Sequence, residues 1–124
     1  MHTFMNTYDQ EGILAATRLL NDPRVSEAKA LILQALQEHK QSITGIRPPQ
    51  SQLLENYDEL IKRLGDVRGG QLWYPYIGSG IGNGALVELL DGSVKYDFIS
   101  GIGVHYWGHS HTDLTLAGID ASIS

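Results

Sequence analysis

The chain has 124 residues, 42% hydrophobic and 19% charged, with no cysteine and a formal net charge of −5. That length suffices for one small domain with its own core, the missing cysteines exclude disulfides and thiolate metal sites, and the acidic balance argues against nucleic acid or an anionic membrane as partner, because phosphate binding needs clustered Lys and Arg. No apolar run approaches the ~18–20 residues that span a bilayer, and the opening "MHTFMNTYDQEG" lacks a basic segment followed by an apolar one, so no signal peptide and a cytoplasmic chain are expected.

The chain changes style near Gly65. Residues 1–64 hold two glycines, Gly12 and Gly45, with eight acids and seven bases; residues 65–124 hold the other twelve glycines, six acids, and only Arg68 and Lys95 as bases. The first half reads as three helices. Thr7 with Gln10 three residues on has capping-box spacing, and Ile13, Leu14, Thr17 and Leu20 follow as a stripe. Asp22 as N-cap and Pro23 at the first helical position open a second helix, since proline's missing N–H costs nothing there. Val25, Ala28, Leu31, Ile32, Ala35, Leu36 and His39 then keep helical spacing. After the break at "TGIRPPQ", Ser51 is expected to cap a third helix. It carries Leu53, Leu54, Tyr57, Leu60, Ile61 and Leu64 on one face and is closed by Gly65. Three amphipathic faces must bury themselves, against each other or against another part of a larger protein.

"GGQLWYPYIGSGIGNG" then reads as a glycine-rich loop. "ALVELL" and "SVKYDFIS" flank Asp91-Gly92, a short-range signal for a two-residue hairpin. A final helix is expected from Thr112 or Asp113 through Leu114, Ala117 and Ala121. The fold class is therefore α+β: N-terminal helices, a Gly-rich loop, an antiparallel β-hairpin and a C-terminal helix.

Several chemistries are weighed at these motifs. Gly80-x-Gly82-x-x-Ala85 is close to the dinucleotide fingerprint, but that motif needs a helix after it and here a strand follows. A kinase phosphate loop is rejected because the chain is too short for two lobes and lacks the catalytic-loop motif. The glycines instead mark close approach to another backbone or a ligand. His105, His109 and His111, with Asp113 nearby, could ligate zinc or nickel; histidines bonded to backbone at the start of the last helix are the preferred reading. Ser100 and Ser110 lack the strand–turn–helix setting of a nucleophile. Glu88, Asp91 and Asp97 do not define a glycosidase pair.

Taken in order, Leu90-Asp91-Gly92, Tyr96-Asp97-Phe98, Ser100-Gly101-Ile102, Val104, Gly108-His109 and His111 resemble the N-terminal segment of class III pyridoxal-phosphate aminotransferases, the ornithine, acetylornithine and 4-aminobutyrate group. The resemblance covers about residues 70–124. Residues 1–69 are expected to be a helical extension outside it. Thr112 stands where the family has proline, and threonine is itself an acceptable N-cap. The resemblance implies the incomplete N-terminal part of a fold-type I enzyme. In full length such an enzyme is a homodimer that moves an amino group from an amino donor to a 2-oxo acid through pyridoxal phosphate. It also implies that Ile102, and more loosely Tyr74 and Tyr76, line the substrate pocket, while Gly108, His109 and His111 shape the turn into the next helix. The family's Schiff-base lysine has no counterpart among Lys29, Lys40, Lys62 and Lys95. No catalytic, cofactor-binding or metal residue is therefore assigned, the chain alone is expected to be inactive, and no tight cofactor binding is expected. Two alternatives from other classes are a non-catalytic helical module that pairs with a separate chain, and a small His-based metal protein.

Overall fold

Asp22 does what its position next to Pro23 demands. Its Oδ1 accepts the Arg24 backbone N–H at 2.8 Å, and helix follows at once. The structure, a computed structural model, describes residues 12–123. The elements in chain order are α1 (Ala15–Leu20), α2 (Pro23–Lys40), α3 (Ser51–Arg68), β1 (Gly78–Asn83), β2 (Leu86–Leu89), β3 (Val94–Tyr96) and α4 (Thr112–Ile123). The architecture is α+β: N-terminal helices, a three-stranded antiparallel sheet in the order β1-β2-β3, and a C-terminal helix. No helix among the described residues is long and apolar enough to cross a membrane.

Three expectations are revised, and one lies outside the described residues. The Thr7–Gln10 capping box lies outside the described residues, and α1 begins at Ala15 behind Leu14, which supplies no side-chain cap. In α3, Ser51 is the first helical residue rather than the cap; Gln50 holds the cap position without a side-chain bond. That helix also runs past Gly65 to Arg68 and ends on Gly69, whose left-handed backbone (φ 86°) can be adopted freely only by glycine. Gly65 instead sits buried in the helix, where a side chain would meet the Gln71 amide. Finally, the glycine-rich stretch is not all loop. Residues 78–83 form β1, paired with β2 through a register irregularity between Gly78 and Gly82.

The hairpin expected at Asp91-Gly92 is present as β2 and β3, with Val87 opposite Lys95 and Glu88 opposite Val94. Its turn is one residue longer than a two-residue Asp-Gly turn. The Gly92 N–H donates to the Leu89 carbonyl and the Leu89 N–H to the Ser93 carbonyl, both at 2.9 Å. Only Gly92 has a positive φ (82°), whereas the two-residue type I′ turn would require it of Asp91 as well. Asp91 caps the turn from within, its Oδ1 accepting the Ser93 N–H at 2.8 Å.

The core is small and sits where the loop after α2 meets this hairpin. Ile43 and Val94 are each 1% exposed, joined by Leu89 and Tyr57. Arg47 exchanges two backbone hydrogen bonds with Val94, and its guanidinium reaches Glu88 at 2.7 Å. Asn83 on β1 donates to the carbonyls of Lys40 and Ile43, satisfying acceptors at the C-terminal end of α2. Lys29 of α2 pairs with Asp120 of α4 at 2.7 Å. These bonds join α2 to the sheet and to α4.

Candidate functional site

Tyr57 fixes one side of the site. Its hydroxyl donates to the Pro75 carbonyl at 3.0 Å and accepts the Ile77 N–H at 3.1 Å. This pins the "WYPY" approach against α3. Burial pushes the Tyr57 phenol above its ordinary value, against the opposing pull of the Ile77 N–H bond, and the nearby Asp91 charge adds to the rise.

The other side is loop 97–111, tied down by Asp97. Its Oδ1 accepts the N–H groups of Ile99 and Ser100 at 2.9 and 2.8 Å, and its Oδ2 lies 2.7 Å from His109 Nε2. An ionised carboxylate can only accept, so His109 Nε2 carries the proton of this bond. Burial pushes the Asp97 carboxyl up, but the bonds from His109, Ser100 and Ile99 and the imidazole charge outweigh it and hold the group below its ordinary value. The His105 ring stacks on His109 with centroids 4.0 Å apart. The His109 N–H returns to the Gly84 carbonyl at 2.8 Å, which fastens the loop to the β1–β2 connection.

Glycine makes this closure possible at two places. At Gly82 a Cβ would lie 2.4 Å from His109 Cβ and 2.5 Å from the Leu86 carbonyl oxygen. At Gly108, already at φ 92°, it would lie 2.9 Å from Gly84 Cα. The loop also forces three residues with side chains into left-handed backbone: Ser100 (53°), Ile102 (59°) and Ser110 (54°). Each such position costs about 1–3 kcal/mol and persists only where surrounding contacts over-determine it. A β-branched residue such as Ile102 is the most unusual of the three.

Between these two sides lies a cleft of about 510 Å³, within the size range of small-ligand pockets. Tyr74, Tyr76, Lys95, Tyr96 and Phe98 line it, together with His105 and His109. Lys95 Nζ stands 5.8 Å above the Tyr76 ring, close enough for a cation–π contact. No carboxylate pairs with Lys95 among the described residues. The arrangement can hold a small, largely apolar molecule against aromatic rings.

Of the residues expected to face substrate, Tyr74 and Tyr76 come together on this cleft. Ile102 does not line it; it projects from the loop tip, 91% exposed. The three histidines divide. His105 and His109 stack, whereas His111 accepts the Asp113 N–H through Nδ1 and turns its ring toward Trp107. Among the described residues no group of three or more His, Cys, Asp or Glu side chains is placed to hold a metal ion. Sequence reasoning missed Lys95, Tyr96 and Phe98 as cleft residues. The i, i+2 spacing of Tyr96 and Phe98, whose rings lie 6.0 Å apart, was the available signal. The Asp97–His109 pair spans twelve residues and a turn, and spacing alone does not reveal it. Comparison with known protein families, curated proteins and solved structures finds no match to this chain.

Proposed function

We propose that this chain is the N-terminal segment of a class III aminotransferase and supplies one wall of a substrate pocket to a larger domain. The observation that carries this reading is Ile102. A β-branched apolar residue is held in strained left-handed backbone at a loop tip and left 91% exposed. Backbone strain accumulates where geometry serves a site, and an exposed apolar side chain gains nothing from water. Both costs are explained if another surface covers Ile102. Support comes also from the loop that presents Ile102, which is anchored through Asp97 and His109 and passes close to Gly84 at Gly108.

The cofactor itself does not fit the described residues. Pyridoxal phosphate needs a free lysine amine for its aldehyde, a carboxylate for its pyridine nitrogen and a set of donors for its phosphate. Lys29 is paired with Asp120, Lys40 donates to the Ser110 carbonyl, and Lys62 lies exposed on α3. Lys95 does face the cleft, but both oxygens of the cleft's one carboxylate, Asp97, are already engaged. No chemical step is therefore assigned to this chain; amino-group transfer, with its amino donor and 2-oxo acid, belongs to the full-length homodimeric enzyme.

Two measurements test the proposal. The coding DNA beyond the Ser124 codon should continue in frame into a lysine-bearing large domain; a stop codon there would count against it. Titrating the purified chain with pyridoxal phosphate should give no lysine-dependent absorbance band. Such a band, abolished by Lys95→Ala and accompanied by amino-group transfer, would overturn it.

A second reading, a non-catalytic module that pairs with a separate chain, is favoured by the balance of apolar surface. Four large hydrophobic residues are buried and twenty-four are exposed among the described residues. Size-exclusion chromatography separates the two readings: a stable complex with a separately encoded partner favours the module.

A further inference from the structure

One lysine stands in the cleft beside the aromatic rings. Lys95 lies on β3 directly opposite Val87 of β2, and both line the cleft. Its ammonium stands 5.8 Å from the centre of the Tyr76 ring and pairs with no carboxylate among the described residues. The acids of the hairpin are engaged elsewhere. Glu88 is held by Arg47 at 2.7 Å, and Asp91 accepts the Ser93 N–H within its turn. Asp97, the one acid of the cleft lining, takes N–H groups from Ile99, Ser100 and His109. The rings around Lys95 are open to a ligand: Tyr74, Tyr76, Tyr96 and Phe98 are each more than half exposed. Apolar surface gathered in this way beside a polar group marks a binding groove. Gly78, opposite Leu89 in the sheet, also lines the cleft. A Cβ there would meet nothing closer than 3.9 Å, so glycine leaves open a position that has room for a side chain.

We propose that this cleft binds a small aromatic carboxylate, its ring against the tyrosines and Phe98 and its carboxylate on Lys95 Nζ. The lining narrows the ligand class. Aromatic faces alone would also suit an organic cation, but Lys95 already places a positive charge at the Tyr76 ring and repels a second. A phosphate takes forked guanidinium donors or a nest of backbone N–H groups. The lining holds one Lys and no Arg, and a single ammonium matches a singly charged anion. The ligand needs an apolar body as well, because Val87, Phe98 and the tyrosine rings share the cleft with the ammonium. An aromatic ring can stack on those side chains while its carboxylate reaches the lysine. The Asp97 charge does not cancel the attraction, since its oxygens accept from His109, Ile99 and Ser100. Binding here requires neither cofactor nor larger domain, and Ile102 lies outside the cleft. Failure of this inference and failure of the aminotransferase reading are therefore separate results.

Calorimetric titration of the purified chain with phenylpropionate tests this. Saturable binding is expected, with a Kd of about 1 mM or tighter, the strength usual for so small a ligand. Phenylpropylamine, which has the same ring and the opposite charge, should bind at least about tenfold more weakly. Lys95→Met keeps an unbranched stem and removes the charge. It should weaken binding of the acid about fivefold or more and narrow the gap between acid and amine. Gly78→Val puts a side chain into the cleft and should weaken the acid by a similar factor. No saturable binding to the wild type, or equal affinity for acid and amine, overturns the site; so does wild-type affinity for the acid in Lys95→Met or in Gly78→Val. Should the variants fail to fold, amide chemical shifts of the wild type decide. Shifts induced by the acid within residues 74–78 and 94–98 support the site, and shifts confined to other residues sink it.

Discussion

A methyl group at Gly82 would be driven into the Leu86 carbonyl and the His109 side chain, and neither the backbone nor the imidazole bonded to Asp97 can step aside cheaply. Gly82→Ala should therefore destabilise the fold by about 1–3 kcal/mol, the usual range for overpacking a closed contact, read as a lower urea midpoint. Asp97 sets a pH dependence whose sign follows from its lowered carboxyl. A group held below its ordinary value of 3.8 adds stability that is complete above that value and is lost as pH falls through the lower folded one. Acid titration of the urea midpoint below about pH 4 should thus show a loss that Asp97→Asn reduces. Asp22, held at about 2 chiefly by the Arg24 side chain and then by its backbone N–H, titrates in the same direction but on the surface. It should persist unchanged in Asp97→Asn and serve as the internal reference.

At the scale of the element, the end of α3 is the informative case. Gly65 and Gly69 both look like closing signals in sequence, and only the second is one. Gly69→Ala places a Cβ in open space but in left-handed backbone, so it should cost about 1 kcal/mol through the backbone alone. Gly65→Ala meets only the end of the flexible Gln71 side chain and relieves a glycine within a helix. It should be neutral or stabilising by up to about 1 kcal/mol. Thermal melts of the two variants check this, and equal destabilisation by both would contradict the observed helix end. β1 shows the same ambiguity differently. A strand with three glycines and one branched residue, Ile81, carries little of the branched and aromatic pattern that marks strands in sequence. It forms here because β2 supplies its ladder and Ser110 Oγ accepts the Gly82 N–H.

At the scale of the molecule, the core is too small for the surface around it. Trp73, Phe98 and Ile102 are each more than 90% exposed, and the helical faces still show Leu31, Ile32, Leu53 and Leu54. Net stability is a small difference between large burial and entropy terms. A chain that leaves this much apolar side chain in water should be marginal when purified alone. It should bind a hydrophobic dye in native buffer and unfold in urea with a shallow slope for its length. A steep, dye-free transition would show that the exposed faces need no partner.

Local signals were enough for most of the helices and for the hairpin. Asp22-Pro23 starts α2 and Gly92 turns the chain because each acts through its own backbone conformation and nearest neighbours. The α+β order was legible for the same reason. The candidate site was legible only in part. Tyr74, Tyr76 and the Asp97-to-His111 residues could be named, but not the hydrogen bond that joins Asp97 to His109, nor the cleft that Lys95, Tyr96 and Phe98 share with the tyrosines. Tertiary structure also decided that α2 docks on β1 through Asn83 and that Gly65 continues its helix. Those outcomes depend on which surfaces meet after the chain has folded back, and short-range spacing holds no record of a contact between residues tens of positions apart.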